Sequence, residues 1–88
     1  MTYTVEIRPA AARQIKKLTT VVQEQVIQQL EELELDPRPP DVKKLSGKNN
    51  LYRVRVGEYR IVYEIQDAVL LVLVVAVGHR REIYRDLS

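Results

Sequence analysis

The chain has 88 residues, 45% hydrophobic and 30% charged, the balance of one small folded domain over residues 1–88 and not of a disordered segment. It has no cysteine and one histidine, which excludes disulfide frameworks, cysteine zinc sites, thiol catalysis and multi-histidine metal centres, and which suits a reducing cytoplasm. Net charge is only +2, but it is unevenly placed: residues 1–42 carry five basic and seven acidic side chains, residues 43–88 nine basic and five acidic. A polyanion-facing surface in the second half accounts for this, as does chance sorting in a short chain.

Met1 to Arg8 lacks the apolar run of a signal peptide. Thr2 to Arg8 alternates, with Tyr3, Val5 and Ile7 on one side, and is expected to be a half-buried strand. Pro9 suits a first helical position, where its missing N–H would be unpaired anyway. Ala12, Ile15 and Leu18 then recur at helical spacing, so a short amphipathic helix is expected over Pro9 to Leu18. Thr20 and Gln23 have the spacing of a capping box. Val22, Val26, Ile27, Leu30 and Leu33 follow as the apolar stripe of a second helix, ended by Asp36-Pro37-Arg38-Pro39-Pro40.

A basic link follows, with Lys43, Lys44 and Lys48 around Ser46-Gly47, and the period then changes to two. Leu51 to Val56 and Tyr59 to Ile65 alternate on either side of Gly57-Glu58, which reads as a type II′ turn with glycine first. Gln66-Asp67 marks another turn. Ala68 to Val77 is a ten-residue apolar run, about half of what a membrane span requires, so a buried interior strand is expected and no membrane partner. Gly78 ends it, and His79 to Ser88 reads as a short charged tail with a helical turn or two. The expected fold is α+β with element order β-α-α-β-β-β: a helical hairpin packed on one face of a small, mainly antiparallel sheet, then a short C-terminal helical tail.

A two-residue turn fixes the hairpin register. Val56 should pair with Tyr59, Arg55 with Arg60, Val54 with Ile61, Arg53 with Val62 and Tyr52 with Tyr63. One face then carries Tyr52, Val54, Val56, Tyr59, Ile61 and Tyr63 for the helices to cover. The other carries Arg53, Arg55 and Arg60. Arg55 and Arg60 would face each other with Cβ atoms roughly 5 Å apart, an arrangement that costs stability unless an anion such as a phosphate compensates. The opposing reading is an ordinary solvated basic face, part-neutralised by Glu64. In the tail, Gly78 would bring His79, Arg80 and Arg81 near one sheet edge. Tyr84, four residues after Arg80, could return to the same side. Cations with a nearby tyrosine suit RNA, the charges for the backbone and the ring for an unstacked base. Tyr84 also fits a ring tucked onto the domain edge, and His79 a strand-end surface residue.

Lys44-Leu45-Ser46-Gly47, the run Leu51 to Tyr63 (LYRVRVGEYRIVY) and the run Val77 to Tyr84 (VGHRREIY) together resemble the RelE/ParE superfamily of bacterial toxins, over nearly the whole chain. The arginine and tyrosine set is similar to the RelE branch: ribonucleases that cut messenger RNA in the ribosomal A site and are silenced by a cognate antitoxin. The resemblance implies Arg55, Arg60, Arg80 and Tyr84 as catalytic residues. It implies Arg53, Lys44, Lys48, His79 and Arg81 as RNA-binding residues, with no metal and no cofactor. The implied reaction is attack of a ribose 2′-hydroxyl on the adjacent phosphate. Some relatives have lysines at Arg53 and Arg55, where a lysine could serve as base; an arginine stays protonated, so either Arg55 acts mainly by charge or another group, Tyr84, His79 or Glu82, moves the proton. The alternative is a ParE-like toxin that poisons DNA gyrase by binding it.

Overall fold

The computed structural model of the protein describes residues 2–45 and 50–84; Lys48 and the end of the tail lie outside the described residues. Strand β1 (Thr4–Ile7) leads into helix α1 (Pro9–Lys16) and helix α2 (Thr20–Leu35). Four more strands follow: β2 (Lys43–Lys44), β3 (Leu51–Val56), β4 (Tyr59–Gln66) and β5 (Leu71–His79), with a 3-10 turn at Asp67–Val69. The sheet is mixed, in the order β1-β5-β4-β3-β2, with β1 parallel to β5 and every other pair antiparallel. The expected α+β hairpin-on-sheet architecture is present, with β2 as an additional strand. No helix is long and apolar enough to cross a membrane among the described residues.

Both helices bury a face one step away from part of the expected pattern. In α1 the inward residues are Ala11 and Ile15, with Leu18 following in the turn, and Ala12 is not part of the core. In α2, Val22, Val26, Leu30 and Leu33 face the sheet, whereas Ile27 is half exposed on the far side. The cap also differs from expectation. Thr19, not Thr20, is the N-cap and its hydroxyl accepts from the Val22 backbone N–H at 3.4 Å. Gln23 does not reach back to its own helix start; its Nε2 donates to the carbonyl oxygens of Ile15 (2.9 Å) and Lys16 (3.3 Å), closing the open end of α1. One side chain thereby joins the two helices across a three-residue turn.

The main core lies between the helices and the sheet, with Val54, Ile61, Tyr63, Ile65, Val72, Val74 and Val77 buried on the sheet side. Strand β5 carries a bulge. Val62 pairs with Ala76 but Tyr63 pairs with Val74, so Val75 is the extra residue. Before the bulge Val72 and Val74 face the helices; after it Val77 does, and Ala76 turns to the opposite face. That opposite face has its own small core. Val62, Ala76 and Ile83 are buried together, with Leu45 and Leu51 against them.

A polar latch holds the proline-rich loop to the far end of the sheet. Arg38 grips Asp67 with both terminal nitrogens (3.1 and 2.9 Å), and the Tyr3 hydroxyl donates to the same carboxylate at 2.6 Å. Its guanidinium also lies 5.2 Å from the Tyr52 ring centroid. Arg38, and then Tyr3, hold the Asp67 carboxyl down to about 2. Deeper in, the Tyr63 hydroxyl donates to the Pro37 carbonyl at 2.7 Å, and burial pushes that phenol above its ordinary pKa.

Candidate nucleic-acid interface

The hairpin pairs as its two-residue turn requires: Arg53 with Val62, Arg55 with Arg60 and Val56 with Tyr59. Gly57 has φ of +59°, and Glu58 does not share the left-handed region, in keeping with glycine leading the turn. Arg53, Arg55 and Arg60 therefore stand on the face away from the helices. Arg60 is half-buried there, its Nη1 donating to the carbonyl oxygens of Gly57 (3.1 Å) and Tyr59 (2.9 Å). Its Nε and Nη2 have no partner among the described residues. Burial first, then the charges of Arg55, Arg53 and Arg80, lower the Arg60 pKa, while Tyr84 opposes the shift. These four groups are thus each near enough to act on Arg60, whose guanidinium remains cationic at neutral pH.

The tail reaches this face because Ile83 packs into the small second core. Residues 80–84 form turns, with the N–H groups of Glu82 and Ile83 both donating to the His79 carbonyl at 2.9 Å, and no helix forms in this part of the expected helical tail. Arg80 lies against the hairpin turn. Its backbone N–H donates to the Glu58 carbonyl at 2.8 Å and its Nε donates to the Glu58 carboxylate, leaving the two terminal amino groups of the fork. Arg80 lowers the Glu58 pKa, so this acid is ionised and offsets part of the local positive charge. Tyr84 is 43% exposed, with its ring accessible.

Three expected RNA-binding residues are placed elsewhere or at the margin. His79 pairs with Tyr59 and so shares the helix side of the sheet, where the two rings meet edge-on at 5.6 Å. It lines a cleft of about 340 Å³ with Gln14, Leu18 and Val77. The bulge at Val75 is the cause, because it reverses which residues of β5 face each way. Lys44 pairs with Tyr52, another helix-side residue, so it too is turned from the arginines. Arg81 is exposed beside the cluster, its backbone N–H donating to His79 Nδ1 at 3.2 Å. Lys43, read from sequence only as part of the basic link, is in register with Arg53 and belongs to the arginine face. Alternation from Arg53 across a third strand would have found it, but a two-residue strand leaves no periodicity to read.

Among the described residues no group of three or more His, Cys, Asp or Glu side chains could hold a metal ion. The groups that converge are fixed cations and one phenol. They can bind phosphate oxygens, stabilise charge that builds on them, and stack on a base.

Comparison with known proteins gives the family. Residues 5–84 match the family described as ParE toxin of type II toxin-antitoxin system, parDE. The chain is 31% identical to the mRNA interferase toxin RelE of Escherichia coli K12, over 98% of this chain and 94% of that protein. Its fold superposes on RelE in the archaeal RelE–RelB complex from Pyrococcus horikoshii with TM-score 0.81 and 28% identity, covering 91% of this chain and 97% of the other. It superposes on the E. coli RelBE toxin–antitoxin complex with TM-score 0.78 and 30% identity, covering 88% and 95%. The chain belongs to the RelE/ParE superfamily of toxins and, by these relatives, to its RelE branch.

Proposed function

We propose that this protein is a toxin that cleaves messenger RNA in the ribosomal A site, in the cytoplasm. The observation that carries the reading is the convergence of Arg55, Arg60 and Arg80 with Tyr84 on the sheet face that the helices leave open. In the reaction, the ribose 2′-oxygen attacks the adjacent phosphorus as its proton leaves. The P–O5′ bond breaks, and the products are a 2′,3′-cyclic phosphate and a 5′-hydroxyl end. Negative charge grows on the non-bridging oxygens in the pentacoordinate transition state. Arg60, pinned to the turn carbonyls, and Arg80, held through Nε by Glu58, present preorganised donors to that charge. Tyr84 orients a base so that the 2′-oxygen stands in line.

The basic face also suits an acidic partner chain, and the RelE–RelB complexes among its structural neighbours support a cognate antitoxin. Brief induction followed by sequencing of RNA 5′ ends tests the reading. Cuts within coding regions at fixed codon positions are expected, with growth arrest. The family match named for ParE favours a second reading, a toxin that acts on DNA gyrase by binding; intact messages with DNA-damage signalling would establish it in place of the first.

A further inference from the structure

We propose that Lys43 and Arg53 form a second phosphate subsite, one step along the message from the scissile bond, with Lys43 as a positioning residue for the RNA. Resting on the nuclease reading above, this adds a place where the strand is held before it is cut.

On the open face of the sheet the side chains stand in rows. One row runs Arg55, Arg60, Gly78, and the next runs Lys43, Arg53, Val62, Ala76. The rows are two residues apart along the strands, roughly 6.6 Å, comparable with the step between successive phosphates in a stretched single strand. In the second row two cations stand directly opposite each other, which is unfavourable unless an anion lies between them. No acid pairs with either among the described residues. The nearest acid on this face, Glu64, is a row further on opposite Leu51 and accepts from Gln66 Nε2 at 3.4 Å.

Arg53 supplies the more specific observation. Its Nη1 is buried and has no hydrogen-bond partner among the described residues. The neighbouring side chains of the small second core (Val62, Ala76, Ile83, Leu45, Leu51) are apolar and offer no acceptor. A buried donor without an acceptor is costly, and the rest of the fork, on a residue only partly buried and with no partner among the described residues, is left to meet a phosphate oxygen from the open face in the geometry a guanidinium matches best. Lys43, exposed on the edge strand, closes over the same anion from the solvent side. Its contact is made equally in the ground and transition states, so it sets how tightly the strand is held and not how fast it is cut.

The test is single-turnover cleavage of a short message on programmed ribosomes, with rate measured against toxin concentration. Lys43→Ala should raise the half-saturating concentration roughly three- to five-fold, the scale of one exposed ion pair, with the maximal rate unchanged. Lys16→Ala removes the same charge from an exposed position on helix α1, on the other side of the sheet, and should change neither. A neutral methylphosphonate at the phosphate flanking the scissile bond should weaken the unaltered protein more than Lys43→Ala does, because Arg53 loses the same anion, and should weaken the Lys43→Ala variant by a smaller factor than it weakens the unaltered protein. The subsite is overturned if Lys43→Ala matches the unaltered protein, if Lys16→Ala is equally weakened, or if the methylphosphonate is without effect or fully additive. An unaltered protein that cuts no message overturns the nuclease reading, and the subsite with it; normal cutting with any of the other three results overturns the subsite alone.

Discussion

Gly78 and Ile83 touch across the open face of the sheet: a Cβ at position 78 would lie 3.3 Å from Ile83 Cδ1. Ile83 is 1% exposed, so this contact fixes the chain that carries Arg80 and Tyr84. Ile83→Ala should cost about 2 kcal/mol, the low end for a buried isoleucine because the second core is small. It should lower cleavage by a larger factor than that loss of folded protein explains. Urea unfolding and cleavage rates on the same samples separate the two effects. Gly78→Ala should act in the same direction on cleavage, by pushing Ile83 outward.

Arg60→Ala should leave the domain folded, with stability changed by less than about 1 kcal/mol, since its hydrogen bonds go to turn carbonyls at the surface. Cleavage should fall by about two to three orders of magnitude, the usual loss for one preorganised donor at an oxyanion. Thermal melts and ribosome cleavage assays check both halves, and full toxicity in this variant would remove Arg60 from the site.

Acid should loosen the latch at Asp67. Its carboxyl sits at about 2 in the folded protein, below its ordinary value of 3.8, because Arg38 and Tyr3 favour the ionised form. The folded state therefore binds fewer protons than the unfolded chain across this interval. The latch contributes its full stability above pH 4 and loses it as pH falls from about 4 to about 2. Asp67→Asn should be less stable than the unaltered protein at neutral pH, with the gap closing toward pH 2. Denaturant titrations at several pH values would show that convergence or refute it.

Gln14→Ala should destabilise the fold by about 1–3 kcal/mol, because the Val77 backbone N–H donates to Gln14 Oε1 at 2.8 Å where β1 has already ended. Amide exchange at Val77 should speed up more than at Val72, which sits within the paired strands. Equal exchange at the two positions would show that water replaces the glutamine without cost.

The hairpin was legible because its two-residue turn leaves one register, and every pairing from Tyr52–Tyr63 to Val56–Tyr59 follows from it. The bulge was not, because Leu71 to Val77 contains no polar residue to mark a face, so a phase change at Val75 leaves no trace in the alternation. The same bulge sets His79 on the helix side, whereas the sequence placed it only near one sheet edge. Thr19 and Thr20 are chemically equivalent caps, and only the chain geometry chooses the first. Ile83 follows three charged residues and has only Tyr84 and, four residues on, Leu87 as apolar company, too sparse a pattern to reveal that the tail packs back on the sheet. The lysines at 43 and 44 differ only in which neighbour each faces, which pairing with β3 decides.

Those two lysines also terminate the sheet. The last strand is two residues long, and its outer backbone is flanked by two ammonium groups at the margin of a five-stranded sheet. A like edge from another copy meets repulsion and almost no ladder to extend, so the rim resists fibre-like stacking. At that rim, brevity and like charge together disfavour self-association of the protein.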